Sequence, residues 1–310
     1  MTDVSRFSNW LHSLPVAQLD LLNLPEFNQR SVQVGLLRLD CLGGGLSGNK
    51  WFKLKYNLQF ALQQGYRRIL SFGGTYSNHL HALAWAGNQL GLETIGIVRG
   101  EPAYADNPTL SDVRRWGMQC VFVDRQTYRL RRQPDFLTSL HEAYPECWIV
   151  PEGGSNALAL SGCGEILANS AVQSWQPDCI VLACGTGGTL AGMLSASPNQ
   201  RFLGIPVLKN AGFLEKEIQQ LLQHNGYSSV ADWQLDLAGA FGGYGKVSEE
   251  LRAFIRRFQC DTGIELDAIY TGKMMLRLMQ LVEAGHFAAG SKILALHTGG
   301  LQGNRGLKLQ

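Results

Sequence analysis

Short, nearly continuous apolar runs alternate along this chain with longer stretches in which apolar positions recur every third or fourth residue. The first pattern predicts strands buried on both faces, and the second predicts amphipathic helices. Strands are expected at 35–39, 68–72, 94–98, 119–123, 147–150, 179–184, 201–205 and 292–297. Helices are expected at 52–64, 77–90, 110–116, 136–143, 159–174, 189–194, 212–224, 248–262 and 272–284. Such alternation predicts an α/β fold with parallel-rich twisted sheets flanked by helices. The strands fall into two groups, one between 68 and 150, the other before Lys50 and after Cys179. This spacing predicts a large domain of 1–55 plus 157–310, with a small α/β domain of 56–156 inserted in it. A site is then expected between the two, on loops at strand ends.

Composition narrows the choice. The 310 residues are 45% hydrophobic and 17% charged, enough to bury a sizeable core. Net charge is +2 and no block of like charges occurs, so neither nucleic acid nor a membrane is an expected partner. The N-terminus has no apolar signal core. Seven scattered cysteines without metal-ligand spacing point to a reducing, cytoplasmic setting and to no metal.

Glycine-rich strand-end loops carry the candidate chemistry. Lys50 follows the glycines 43–45 and lies in Gly48-Asn49-Lys50. Gly73-Gly74-Thr75-Tyr76-Ser77-Asn78-His79 turns tightly into a helix with Ser77 as a plausible N-cap. Gly185-Thr186-Gly187-Gly188-Thr189 joins a strand to a helix start and presents backbone N–H groups to an anion. No acidic residue ends the following strand, which favours a lone phosphate over a dinucleotide. Two tyrosines, Tyr244 and Tyr270, sit in polar loops, the second in Tyr270-Thr271-Gly272-Lys273. A last strand ends in His297-Thr298-Gly299-Gly300, where His297 reads as a satisfied core histidine and Thr298 as a neutral hydrogen-bonding group. An amine for an aldehyde and a distant phosphate cup together suggest pyridoxal 5′-phosphate.

In that order these motifs resemble the 1-aminocyclopropane-1-carboxylate (ACC) deaminase and D-cysteine desulfhydrase family, from about residue 35 to 303. The resemblance implies a two-domain pyridoxal-phosphate enzyme of fold type II, a lyase, deaminase or hydrolase, and a homodimer. It implies that Lys50 bonds the cofactor aldehyde and that Asn78 bonds the ring hydroxyl. Gly185, Thr186, Gly187, Gly188 and Thr189 would hold the phosphate, and Thr298 would face the ring nitrogen. Ser77, Asn78, His79 and Tyr270 would hold a small amino-acid substrate, with Lys50, Ser77, Tyr244 and Tyr270 taking part in catalysis. In the ACC deaminases an acidic residue stands at 271 and leucine at 298, so Thr271 and Thr298 resemble the desulfhydrase side. The family's Thr-Arg-Lys after the cofactor lysine is here Trp51-Phe52-Lys53, a change bearing on the substrate more than on the cofactor.

The expected reaction is α,β-elimination, with D-cysteine giving pyruvate, ammonia and sulfide. ACC deamination to 2-oxobutyrate is the alternative within the class. A β-replacement synthase, a non-catalytic pyridoxal-phosphate-binding protein and a nicotinamide oxidoreductase are the remaining readings.

Overall fold

The computed structural model describes residues 3–46, 48–197, 199–227 and 231–307. Among the described residues ten strands form two sheets: β1 Gln18–Leu22, β2 Gln33–Arg38, β3 Arg68–Gly74, β4 Glu93–Arg99, β5 Gln119–Val123, β6 Cys147–Ile149, β7 Cys179–Cys184, β8 Arg201–Pro206, β9 Asp232–Leu235 and β10 Lys292–His297. The larger sheet runs β1-β2-β10-β7-β8-β9, parallel except where β1 meets β2 antiparallel. The smaller sheet, β5-β4-β3-β6, is wholly parallel and contains the strands between 68 and 149. In each sheet the chain reverses its direction of travel at one place, beside β3 in the smaller and β7 in the larger. Crevices at the carboxyl ends of strands open at such switch points.

Two strands were not expected. β1 and β9 lie at the edges of the larger sheet and are mostly half-buried or exposed, so their sequences lack a continuous apolar run. The long helix expected at 159–174 is instead broken. Ala157–Gly164 is helical, a 3₁₀ turn follows, and Asn169 restarts a helix by accepting the N–H groups of Ala171 and Val172 at 3.0 and 3.3 Å. The Lys50 helix begins earlier than its apolar pattern indicates, at Asn49, after Gly48 takes φ +92°.

Three helices that converge on the site approach each other through glycines. A Cβ on Gly162 would lie 1.9 Å from the carbonyl oxygen of Phe52, and one on Gly192 would lie 2.5 Å from the Cβ of Cys163. The Lys50 helix (Asn49–Gln63), the Ala157–Gly164 helix and the Gly188–Ala196 helix are therefore in near backbone contact. Trp51 points away from the strand-end crevice and is buried against Phe7 and Trp10, with ring centroids 6.4 and 5.1 Å apart. His297 is fully buried; its Nδ1 accepts from Gly299 N at 3.2 Å and its Nε2 lies 2.7 Å from the carbonyl oxygen of Glu265. No described helix is long and apolar enough to cross a membrane.

In an exposed helix, exchanging glycine for alanine stabilises by about 1 kcal/mol. At Gly162 the sign should reverse. Gly162→Ala should lower the thermal unfolding midpoint, with overpacking costing about 2 kcal/mol or more. A melting curve at or above that of the wild type would show that these helices do not need their close approach.

Candidate active site

A cavity of about 610 Å³ opens where β3, β6, β7 and β10 end. Every site residue expected from the sequence lines it: Lys50, Ser77, Asn78, His79, Gly185 to Thr189, Tyr244, Tyr270 and Thr298. So do several that sequence reasoning passed over, including Asn49, Lys53, Arg99 and Glu152.

Lys50 stands in the first turn of its helix. Its ammonium bonds Asn49 Oδ1 at 2.7 Å, and Asn49 Nδ2 in turn donates to Thr189 Oγ1 at 2.7 Å. No carboxylate is bonded to it among the described residues. Burial, and after it the charge of Lys53, lowers the Lys50 pKa to about 7. An amine this close to neutrality is a competent nucleophile and base near physiological pH.

Lys53 lies one helical turn on and therefore on the same side of the helix. It is 2% exposed. Its Nζ reaches Ser155 Oγ at 3.2 Å and Thr186 Oγ1 at 3.3 Å. Those hydroxyls lie 3.0 Å from each other, and burial lowers this lysine's pKa as well. The ammonium thus sits inside the glycine/threonine cup. Gly187 is left-handed at φ +73° and starts the helix whose first N–H groups face the same space. A Cβ on Gly188 would come within 2.5 Å of Ser155 Oγ and 2.9 Å of Lys53 Nζ, so only glycine admits this approach. A buried cation, hydroxyls and helix N–H groups, with no carboxylate bonded to the cation among the described residues, make a pocket for an oxyanion. The signal for Lys53 was present as the three-residue spacing from Lys50. Ser155 lay in a turn that reads alone as ordinary.

Ser77 caps its helix by accepting Leu80 N–H at 3.2 Å, which leaves its own proton free for the cavity. His79 is buried. Ser71 Oγ donates to the Val150 carbonyl at 2.8 Å and so receives the proton of His79 Nε2, also at 2.8 Å. Nδ1 is then an acceptor, and it is the one buried side-chain polar atom without a partner among the described residues. Burial, reinforced by Lys50 and Lys53, holds the His79 pKa down at about 3, so the ring is neutral.

Tyr270 and Tyr244 meet edge to face, with centroids 6.0 Å apart at 71°. Burial pushes the Tyr270 phenol well above its ordinary pKa, so it keeps its proton. Asp267, 1% exposed, fixes this corner by accepting the N–H groups of Ile269, Tyr270 and Thr271 at 2.9, 2.7 and 2.8 Å. It also accepts the Thr271 hydroxyl at 2.6 Å. Thr271 is consequently fully buried and does not line the cavity, whereas Thr298 does. Of the two positions that set the family's branches apart, only 298 faces the site. Lys273 lies behind the corner and donates to the carbonyls of Ala240 and Gly243 at 3.0 and 2.5 Å, tethering the loop that carries Tyr244. Trp51 and Phe52, which depart from the family pattern, are both absent from the cavity wall.

Comparison with known proteins agrees with this geometry. A family model described as "Pyridoxal-phosphate dependent enzyme" matches residues 13–299. A putative 1-aminocyclopropane-1-carboxylate deaminase from Pyrococcus horikoshii is 31% identical over 294 residues, covering 90% of this chain and 88% of that one. A mitochondrial bifunctional D-cysteine desulfhydrase/1-aminocyclopropane-1-carboxylate deaminase from Arabidopsis thaliana is 29% identical, covering 93% and 76%. The crystal structure of an ACC deaminase homologue superposes with a TM-score of 0.83 at 27% identity, covering 98% of both chains. The cofactor of such proteins is pyridoxal phosphate. The residues present fit it, with a near-neutral buried amine at one end of the cavity and an oxyanion pocket around a second lysine. The relatives are named as deaminase and desulfhydrase, in line with a lyase and not with the hydrolase part of the expectation.

An aldehyde reacts with a neutral amine only. Uptake of pyridoxal phosphate by the apoprotein should therefore quicken from about pH 6 to about pH 8 and then level off. Lys53→Met removes the neighbouring charge, so the profile measured with pyridoxal should move to higher pH, while pyridoxal phosphate affinity falls about a hundredfold. An unchanged profile and affinity would separate Lys53 from both tasks.

Proposed function

Because the chain belongs to the pyridoxal-phosphate-dependent enzyme family, we propose that it is a lyase that eliminates the β-substituent of a small amino acid, D-cysteine giving pyruvate, ammonia and sulfide. The observation that carries the choice of reaction is Thr298, whose hydroxyl-bearing side chain lines the cavity where the resemblance puts leucine in the ACC deaminases. A neutral hydroxyl beside a ring nitrogen leaves it largely unprotonated. That weaker electron sink suffices when a good leaving group such as thiolate departs from Cβ. ACC deamination to 2-oxobutyrate and ammonia is a second reading, favoured by the Pyrococcus relative, and Thr271, lying off the cavity wall, does not speak against it.

When bound, the cofactor supplies the sink for the electron pair left at Cα after its proton is removed. The remaining tasks fall to this chain. Lys50 Nζ holds the aldehyde end and, once released from it, takes the Cα proton. Lys53 Nζ, the hydroxyls of Ser155 and Thr186 and the N–H groups of Gly185 to Thr189 hold the phosphate. Asn78 bonds the ring hydroxyl. Ser77 Oγ–H donates to the substrate carboxylate. His79, neutral, lines the same wall near the substrate. Tyr270, still protonated, donates from the opposite wall, with Tyr244 packed on it.

The same reading sets the borders of a small inserted domain at 56 and 156. Asn57 and Asn156 exchange side-chain hydrogen bonds of 3.1 and 2.8 Å close to both borders. A cytoplasmic location is supported by seven unpaired cysteines. The homodimer rests on the family resemblance.

Purified holoprotein supplied with D-cysteine should release sulfide and pyruvate in equal amounts, faster than it forms 2-oxobutyrate from ACC. Lys50→Ala should slow both by at least about a thousandfold. Turnover of ACC alone would transfer the assignment to the second reading. Silence on both substrates would remove the two together.

A further inference from the structure

Asn78 lines the cavity at the start of its helix, and its amide has two faces with opposite chemistry. Which face meets a ligand depends on the groups behind it. There, Gln302 Nε2 donates to Asn78 Oδ1. Gln302 Oε1 in turn accepts the hydroxyl of Thr109 at 2.8 Å. Gln302 belongs to the 3₁₀ turn Leu301–Gly306, which is braced on both sides. Asn304 Nδ2 donates to Glu265 Oε1 at 2.9 Å and to the Leu266 carbonyl at 3.1 Å, and its Oδ1 accepts from Ala268 N at 3.1 Å. Arg305 pairs with Asp112 on the helix that carries Thr109.

The chain of bonds has a direction. Thr109 is 1% exposed, and its hydroxyl proton has no other acceptor among the described residues. If the Gln302 amide were reversed, Nε2 would donate to Thr109, and the buried hydroxyl proton would lose its acceptor. An unmet buried donor costs about 1–3 kcal/mol, which fixes the orientation. Gln302 must then present Nε2 to Asn78, so Asn78 must present Oδ1 to Gln302. The NH₂ group of Asn78 is left against the bare Cα of Gly300, where a Cβ would stand 2.8 Å from Nδ2, and no acceptor in the described protein takes it.

We propose that Thr109 and Gln302 form a directional hydrogen-bond relay that holds the Asn78 amide with its donor face toward the cofactor's ring oxygen. The two are positioning residues, and the proposal rests on the reading of Asn78 given above. A donor at that oxygen favours the form of the cofactor in which the oxygen is negative, the form with the longer-wavelength absorbance. The relay therefore has a spectroscopic signature separate from turnover.

The test uses holoprotein reconstituted with pyridoxal phosphate. In Gln302→Glu the new carboxylate only accepts, so Asn78 turns its NH₂ toward it and offers Oδ1 to the ring oxygen. The long-wavelength band should lose intensity to the near-ultraviolet band, and cofactor affinity should fall about tenfold. Thr109→Val, which frees Gln302 to reverse, should shift the band the same way by less. Gln302→Met, with both bonds lost, should fall between Gln302→Glu and wild type; thermal melts of all three exclude unfolding as the cause. Asn78→Ala separates the two layers of the argument. If Asn78→Ala changes the spectrum and folded Gln302→Glu does not, the relay is wrong. If Asn78→Ala leaves the spectrum unchanged, the reading of Asn78 fails, and the relay with it.

Discussion

Burying a lysine ammonium without a carboxylate to meet it is costly, and this protein does so twice within one helical turn. Lys50 and Lys53 face the same cavity, and neither is bonded to an acid among the described residues. Burial and then the charge of Lys53 lower the Lys50 pKa, and burial reinforced by both lysines holds His79 neutral. The division of labour follows from what surrounds each one. Lys50 meets a side-chain amide, which leaves an amine near neutrality. Lys53 meets two hydroxyls and a helix N-terminus, an environment completed by an anion.

That arrangement depends on backbone packing. Lys53 reaches the cup because the Lys50 helix, the Ala157–Gly164 helix and the Gly188–Ala196 helix approach without side chains between them at Gly162 and Gly192. Gly48 does the same at the helix start, where a Cβ would lie 1.9 Å from the Thr298 carbonyl oxygen. The opposite wall is held by polar bonds. Asp267 gathers the Tyr270 turn, and Lys273 ties the Tyr244 loop to it.

The sequence was most informative where burial is uniform. β7 and β10 begin and end where their apolar runs do, because residues at a two-faced sheet interior leave no polar alternation. β1 and β9 escaped because an edge strand needs no such run. Glycine loops at strand ends marked the cavity wall, since tight turns and close backbone approach demand that residue. What the pattern did not carry was side-chain direction. Thr271 and Thr298 look equivalent as threonines beside glycines, yet Asp267 draws the first away from the cavity. Gln302 and Thr109 are 193 positions apart, and nothing local in either segment signals their contact.

Under the proposed function two lysines a turn apart are not interchangeable: Lys50 would bond the aldehyde and Lys53 the phosphate. Borohydride reduction of the holoprotein fixes the cofactor to whichever amine holds it, and peptide mass mapping then locates the label. A single pyridoxyl group on Lys50, with Lys53 unmodified, is the expected result. A label on Lys53, or one divided between the two, would contradict it.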